Sequence, residues 1–384
     1  MRSQALKFVI LIGIVSLCAD ATYEGGRSIA GAYLGALGAS GAIVGLVAGA
    51  GELVGFALRL LTGYLSDKTR QYWSITTLGY ILNTGAIPLL ALTGRWETAA
   101  ALLILERAGR AVRSPPRDVL LSHAASQIGS GFGFGLHEAL DQIGAVLGPL
   151  AVAALLARQQ NYQSGFAILL FPALLGLGVL LIAQQRYPNP QEFEVKSQTP
   201  TNGEGLPRQF WIYLAGAALL AVGYADFPLI AFHFQRTGLM AVNTIPLFYA
   251  VAMAMDAISA LLLGRLFDRN GVITLVIAVA ISALFAPLAF LGTPPLALLG
   301  MALWGVGMGA QESIMKATVA TIVPINQRGL AFGIFYVGYG LAWFAGSVAM
   351  GLLYDRTVVG LVYFSVVAQF AACSVLFWVT CRQD

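Results

Sequence analysis

The sequence predicts an all-α membrane protein of twelve transmembrane helices, built as two pseudo-symmetric six-helix bundles. Three observations predict it. Hydrophobic residues make up 58% of the 384-residue chain and charged residues only 10%, against about 25% charged in soluble domains. Cutting the chain at charged or Pro/Gly breaks leaves apolar runs near the length of about 20 residues that crosses a hydrocarbon core. One short phrase also recurs after an apolar run: Gly63-Tyr64-Leu65-Ser66-Asp67-Lys68-Thr69-Arg70, and later Gly264-Arg265-Leu266-Phe267-Asp268-Arg269-Asn270-Gly271.

In chain order the runs are 7–35, 41–66, 72–93, 97–122, 129–157, 163–185, 209–235, 243–266, 272–292, 296–322, 328–353 and 358–380. The first, from Leu6, lacks a signal-cleavage pattern and is expected to stay as a helix. In Arg113-Ser114-Pro115-Pro116-Arg117-Asp118 the paired prolines are expected to break the fourth helix, leaving Arg113 and Arg117 at its rim, where either could bridge to Asp67. The segment 186–208, rich in Pro, Gln, Glu and Lys, reads as a linker between bundles at 1–185 and 209–384. Basic residues of the short loops, among them Arg2, Lys7, Lys68, Arg70, Arg265 and Arg269, gather on the side of both termini. Arg95, Arg158, Arg236 and Arg356 fall opposite, so both termini and the linker are expected to be cytoplasmic. Cys18, Cys373 and Cys381 form no CxxC and read as packing residues. The net charge of +4, without a basic stripe interleaved with aromatics, excludes nucleic acid as a partner.

The halves align beyond the repeated phrase. Setting Phe134-Gly135 on Phe332-Gly333 places Gly148 on Gly346, His137 on Phe335 and Asp141 on Tyr339. At these aligned positions the packing glycines persist in both halves, while the ionisable groups occur only in the first. Such groups cost about 2.5–3.5 kcal/mol each at mid-membrane and need partners or water. Asp20, Glu24 and Arg27 share one face of the first helix. Glu106, Arg107, Arg110, Arg113 and Arg117 form a stripe on the fourth, and His137, Glu138 and Asp141 lie on the fifth. At the rise of an α-helix, Asp20, Arg107, Arg110 and Asp141 reach a similar depth. The second half offers Asp226, Asp256 and Glu312 as substrate-binding candidates, Asp226 and Asp256 for a cation or as lone buried acids. His233 lies two turns from Asp226, Glu312–Lys316 reads most simply as a self-neutralising i,i+4 pair, and Tyr224, Phe227, Phe232, Phe234 and Tyr249 read as an aromatic wall or as packing.

Twelve helices in two halves, with the phrase at Gly63, Asp67, Lys68 and Arg70 and a degenerate copy at Gly264, Asp268 and Arg269, resemble the major facilitator superfamily. Gly144, Gly148 and Pro149 on helix 5 look like that family's antiporter motif, and Glu106-Arg107 is similar to its helix-4 arginine motif. The resemblance implies a carrier of the drug/proton-antiporter type, working by alternating access around a central cavity.

The charged cluster of the first half reads as proton-coupling machinery, because a carboxylate that loses its arginine in a desolvated site takes up a proton. It also reads as a static lattice joining helices 1, 4 and 5, or as an anion site at Arg27, Arg107 and Arg110. Asp67 is expected to clasp a helix N-terminus in a cytoplasmic gate, with Lys68 and Arg70 at the headgroups. The expected function is a proton-coupled exporter of a small organic compound. The alternatives are a metal-ion or organic-anion carrier of the same fold, or a non-transporting membrane assembly or sensor protein. No nucleophile–base set, phosphate loop or zinc pattern points to an enzyme. His123, His137 and His233 are scattered, so no metal site and no cofactor are expected. The partners are substrate, protons and a lipid bilayer, with the chain a monomer in a bacterial inner membrane.

Overall fold

The computed structural model describes residues 2–128, 130–159, 161–188, 205–323 and 328–380. The regular elements described are all helical. Single long helices are α1 (Arg2–Ala36), α2 (Gly41–Thr69), α4 (Trp96–Ile128), α5 (Ser130–Gln159), α10 (Ile245–Asn270), α13 (Pro294–Ile322), α14 (Arg328–Arg356) and α15 (Val358–Thr380). α3 (Tyr72–Leu89) ends in a 3-10 turn. Three further spans are interrupted: α6 (Tyr162–Ala167) with α7 (Leu170–Arg186), α8 (Arg208–Gly223) with α9 (Phe227–Thr237), and α11 (Ile273–Ser282) with α12 (Phe285–Leu291). By length and composition, ten stretches of the described residues are apolar enough to cross a membrane. α4, of 33 residues, and α13, of 29, are long enough as well, and the intramembrane arginines of α4 lower its hydropathy.

The chain forms two compact units. One is Met1–Tyr33, Val54–Gln198 and Val242–Leu247; the other is Leu34–Leu53, Thr199–Ala241 and Phe248–Asp384. The first half of α2 therefore belongs to the second unit. Within the first unit, Phe8, Trp73, Tyr80, Leu120, Leu121 and Leu180 form a buried core at one end.

Glycines bring helices into backbone contact, the route open to helix association where lipid removes the hydrophobic drive. A Cβ at Gly144 or Gly148 of α5 would strike the Leu17 or Ala21 carbonyl of α1. In the second unit, a Cβ at Gly346 of α14 would strike the Val222 carbonyl of α8. Gly148 and Gly346 thus do the same work against the first helix of their own half.

Two expectations are corrected. The prolines do not break the fourth helix: α4 runs through Pro115 and Pro116 to Ile128. Pro115 has no N–H for the Ala111 carbonyl, but Thr62 Oγ1 of α2 lies 3.2 Å from that oxygen, and Ser114 Oγ donates to the Arg110 carbonyl at 2.7 Å. Conversely, three runs expected as single spans are interrupted, 163–185 between α6 and α7, 272–292 between α11 and α12, and 209–235 at Tyr224-Ala225-Asp226. Asp226 caps α9, accepting the Phe227 N–H at 2.9 Å, and Pro228 sits in the first turn, where its missing donor costs nothing. The freed carbonyls are taken by side chains. Gly223 O accepts from Ser365 Oγ at 2.6 Å and Ala225 O from Trp304 Nε1 at 2.9 Å.

The repeated phrase ends both its helices in one way. Arg70 N–H donates to Ser66 O at 2.8 Å and Gly271 N–H to Phe267 O at 2.7 Å. Both residues are left-handed, with φ 55° and 66°. Glycine adopts this conformation freely, whereas an arginine does so at a cost of about 1 kcal/mol.

Candidate functional site

In the first unit, α1, α3, α4 and α5 bring the charged side chains together. Asp20 pairs with Arg113, Nη2 to Oδ1 at 3.3 Å. Arg113 is 1% exposed, with its guanidinium 4.5 Å from the Tyr80 ring centroid. Its Nε and Nη1 have no hydrogen-bond partner among the described residues. Asp141 and Arg110 lie within electrostatic reach of Asp20. Arg110 stands over the Tyr23 ring at 4.3 Å.

Ser16 is the hub towards α5. Its hydroxyl is 2.8 Å from His137 Nε2, 3.2 Å from Tyr80 Oη and 3.3 Å from Arg117 Nη1. His137 Nδ1 is 3.7 Å from Asp141 Oδ2, one helical turn on. The other Asp141 oxygen is buried with no hydrogen-bond partner among the described residues. Glu138 is exposed and accepts from Gln142 Nε2 at 3.3 Å. Arg117 also binds Asp118 at 2.8 Å.

A second group lies along α1 and α4. Arg107 pairs with Glu106 at 3.5 Å, Glu106 accepts from Asn83 Nδ2 at 2.7 Å, and Arg27 approaches Glu24 at 3.9 Å. Arg107 therefore pairs with its chain neighbour, and the arginine paired with Asp20 is Arg113.

Of the repeated phrase, Lys68 is exposed and stands over the Tyr64 ring at 5.7 Å, and Asp268 and Arg269 are exposed at the end of α10. Gly264 has open space around it, and Gly63 faces Pro115. The side chains of Asp67, Lys316 and Arg328, residues 189–204 of the linker, and Cys381 and Arg382 lie outside the described residues. Cys18 and Cys373 are free and buried. Pro149 sits inside α5.

The second unit has a different interior. Asp226 and Asp256 are buried, at 2% and 3% exposure, and Glu312 is exposed on α13. Around them, Phe227 packs on Tyr249 at 4.1 Å, and Tyr224 lies 5.8 Å from Trp304 and 5.9 Å from Trp343. Tyr339, aligned with Asp141, donates to Gln311 Oε1 at 2.6 Å. Phe335, aligned with His137, stacks between Tyr339 at 5.8 Å and Tyr213 at 5.9 Å. His233 Nδ1 is 3.0 Å from Tyr354 Oη.

Sequence reasoning passed over two acids. Glu52, midway along α2, acts electrostatically on Tyr339; an acid inside an apolar run was the signal for it. Asp355, at the end of α14, caps the N-terminus of α2. Its two oxygens accept the Gly41 and Ala42 N–H groups at 2.8 Å each. Beneath this cap, Gly45 and Gly49 lie against the backbone of α14 at Ser347 and Phe344. The acid-on-helix clasp foreseen for Asp67 is therefore present at the other end of the same helix.

The sequence model of the Major Facilitator Superfamily matches residues 12–347. An uncharacterised protein of Mycobacterium tuberculosis (strain H37Rv) is 40% identical over 379 residues, covering 97% of this chain and 93% of its own. An uncharacterised MFS-type transporter of Methanocaldococcus jannaschii is 27% identical over 340 residues, covering 83% of this chain and 82% of its own. Among solved structures, the nucleoside transporter NupG shares the fold at TM-score 0.76 and 14% identity, covering 97% of this chain and 98% of that one.

Proposed function

The chain belongs to the Major Facilitator Superfamily, and from that premise we propose that it is a proton-coupled exporter of a small organic compound, working by alternating access between halves at 1–185 and 209–384. The observation that carries the proposal is the Asp20–Arg113 pair. A bridge kept only for stability would satisfy its guanidinium, since burying a charge is repaid only with good geometry and full hydrogen bonding. Arg113 instead has one bond, at 3.3 Å, and two buried nitrogens without a hydrogen-bond partner among the described residues. Parting the pair gives up one hydrogen bond, and a proton on Asp20 removes the charge that would otherwise be left buried and unpaired. Once parted, a desolvated Asp20 or Asp141 favours its protonated form, which is the step a proton-driven carrier requires. Ser16, His137 and Tyr80 supply exchangeable protons beside it.

In the proposed orientation, with both termini cytoplasmic, Asp67 serves an inner gate and Asp355 an outer latch. The carboxylate of Asp355 favours the positive end of the α2 dipole, and it must let go when the outer end opens.

The test is transport by the purified chain in proteoliposomes with an imposed pH gradient and a panel of organic solutes. The wild type should concentrate its substrate. Asp20→Asn and Asp141→Asn should lose accumulation yet keep downhill exchange, because a neutral side chain mimics the protonated one. If both variants still accumulate substrate at the wild-type level, the cluster is a static lattice.

One observation favours a metal-ion carrier as the second reading. Ligand atoms of His137, Glu138 and Asp141 lie within 4.8 Å of one another. The same vesicles loaded with a divalent-cation indicator would show metal movement under that reading and none under the first.

A further inference from the structure

Among the described residues, the interior of the second unit holds acids and aromatic rings, Asp226 and Asp256 among the buried acids. The Trp343 indole is 5% exposed and lies 5.7 Å from Tyr339 and 5.9 Å from Tyr224. Both tyrosine hydroxyls have given their protons to protein acceptors, Tyr339 to Gln311 Oε1 and Tyr224 to the Trp304 carbonyl. Their oxygens therefore keep lone pairs for a further positive or donating group, and both rings pack with Trp343 inside the unit. Among the described residues, Glu52 and Glu312 lie within electrostatic reach of the Tyr339 hydroxyl, and Asp256 and Glu312 within reach of Tyr224. Glu312 is exposed on α13, and a carboxylate exposed midway along a membrane helix faces water rather than lipid.

A second observation is independent of the acids. Trp343 Nε1 is buried and has no hydrogen-bond partner among the described residues. A buried indole N–H normally finds an acceptor, so this one is available for an acceptor atom on a ligand. Aromatic faces backed by carboxylates are the surroundings that hold a desolvated organic cation.

We propose that Trp343, Tyr339 and Tyr224, with Glu312, Asp256 and Glu52 behind them, form the binding site for an organic cation that carries a hydrogen-bond acceptor. The assignment rests on the carrier reading above and narrows its substrate class. It also gives the halves separate tasks, with proton chemistry in the first unit, where arginines balance acids, and cation recognition in the second. Lys316, one turn beyond Glu312, has its side chain outside the described residues, so the test reads the sign of the site with that lysine in place.

The experiment is equilibrium binding to the full chain in lipid nanodiscs, followed by tryptophan fluorescence and corrected with empty discs. The probes are tetraphenylphosphonium and tetraphenylborate, which share a shape and differ in charge. The wild type should bind the phosphonium at least about tenfold more tightly than the borate. The Asp256→Asn/Glu312→Gln double variant should lose that preference, and Trp343→Phe should weaken cation binding while keeping its sign. Equal or tighter borate binding by the wild type, or no measurable phosphonium binding, overturns the proposal; this result needs no variant to fold. A folded double variant that binds the cation with wild-type affinity also overturns it. Transport separates the two readings. If the phosphonium binds selectively but no pH gradient moves it in proteoliposomes, the cation site stands and proton coupling falls. If a neutral solute is accumulated and the phosphonium does not bind, proton coupling stands and the cation site falls.

Discussion

α5 and α14 occupy the same place in the two halves of the chain and have kept different things. Both press glycines onto a neighbouring backbone, Gly148 onto Ala21 and Gly346 onto Val222. Where α5 carries His137 and Asp141, α14 carries Phe335 and Tyr339. The charged pair reaches Ser16 and the Asp20–Arg113 bridge, and the aromatic pair reaches Tyr213 and Gln311. The difference shows which positions the fold depends on. A side chain added at either glycine collides with main chain, so those sites are fixed by geometry. Two and three turns away, the side chains face the interior of a unit and are free to diverge in chemistry.

The largest effect should come from breaking the Asp20–Arg113 ion pair of the first unit. Arg113→Leu leaves Asp20 buried without its cation, which costs about 3–5 kcal/mol for a buried pair. Removing both charges, as Asp20→Asn with Arg113→Leu, should restore most of that stability while abolishing accumulation. Thermal unfolding of the purified variants reads the first quantity and vesicle uptake the second. A double variant no more stable than Arg113→Leu would show that Arg113 acts through packing on Tyr80.

A smaller effect tests the shared scaffold. Gly148→Ala and Gly346→Ala each force helices apart and should cost about 1–3 kcal/mol, the range for overpacking. Similar losses in melting temperature would confirm that the two sites are equivalent in load. A loss at only one would mean that one half has relaxed around its glycine.

The smallest effect concerns the repeated phrase. Arg70→Gly should stabilise the chain by about 1 kcal/mol by relieving a left-handed non-glycine residue, and Gly271→Ala should destabilise it by about the same amount. Opposite signs in paired melts would show one backbone shape serving two loops, with arginine retained in the first for its charge. If Arg70→Gly is neutral, the loop relaxes without strain.

Much of this was legible in the sequence. Run lengths and the paucity of charge gave the helices, and the doubled phrase and aligned glycines gave the repetition. The site was less legible, and the reason is local. Reading Pro115-Pro116 as a helix end placed Arg113 at the rim. Because the helix continues, Arg113 sits among packed side chains opposite Asp20, a full turn nearer the charged interior than Arg117. The break at Tyr224-Ala225-Asp226 was hidden for the opposite reason: one acid in a long apolar run does not reveal that it caps a helix, and the side chains that receive the freed carbonyls, Ser365 and Trp304, are distant in sequence. Asp355 escaped notice because its partners are main-chain N–H groups, which no residue pattern records.

The proline pair of α4 has a mechanical consequence. Pro115 and Pro116 delete the backbone bonds to the Ala111 and Val112 carbonyls, so a bend at this point strains fewer main-chain hydrogen bonds than one elsewhere in α4. Thr62 divides one proton between its own Leu58 carbonyl at 2.7 Å and Ala111 O at 3.2 Å. It can release α4 while keeping a partner on α2. Arg107, Arg110 and Arg113 lie on one side of this joint and Arg117 on the other. Flexing it would lengthen the Asp20–Arg113 contact relative to the Arg117–Ser16 contact with no helix melting, so α4 works as a hinged arm with its axle at the prolines.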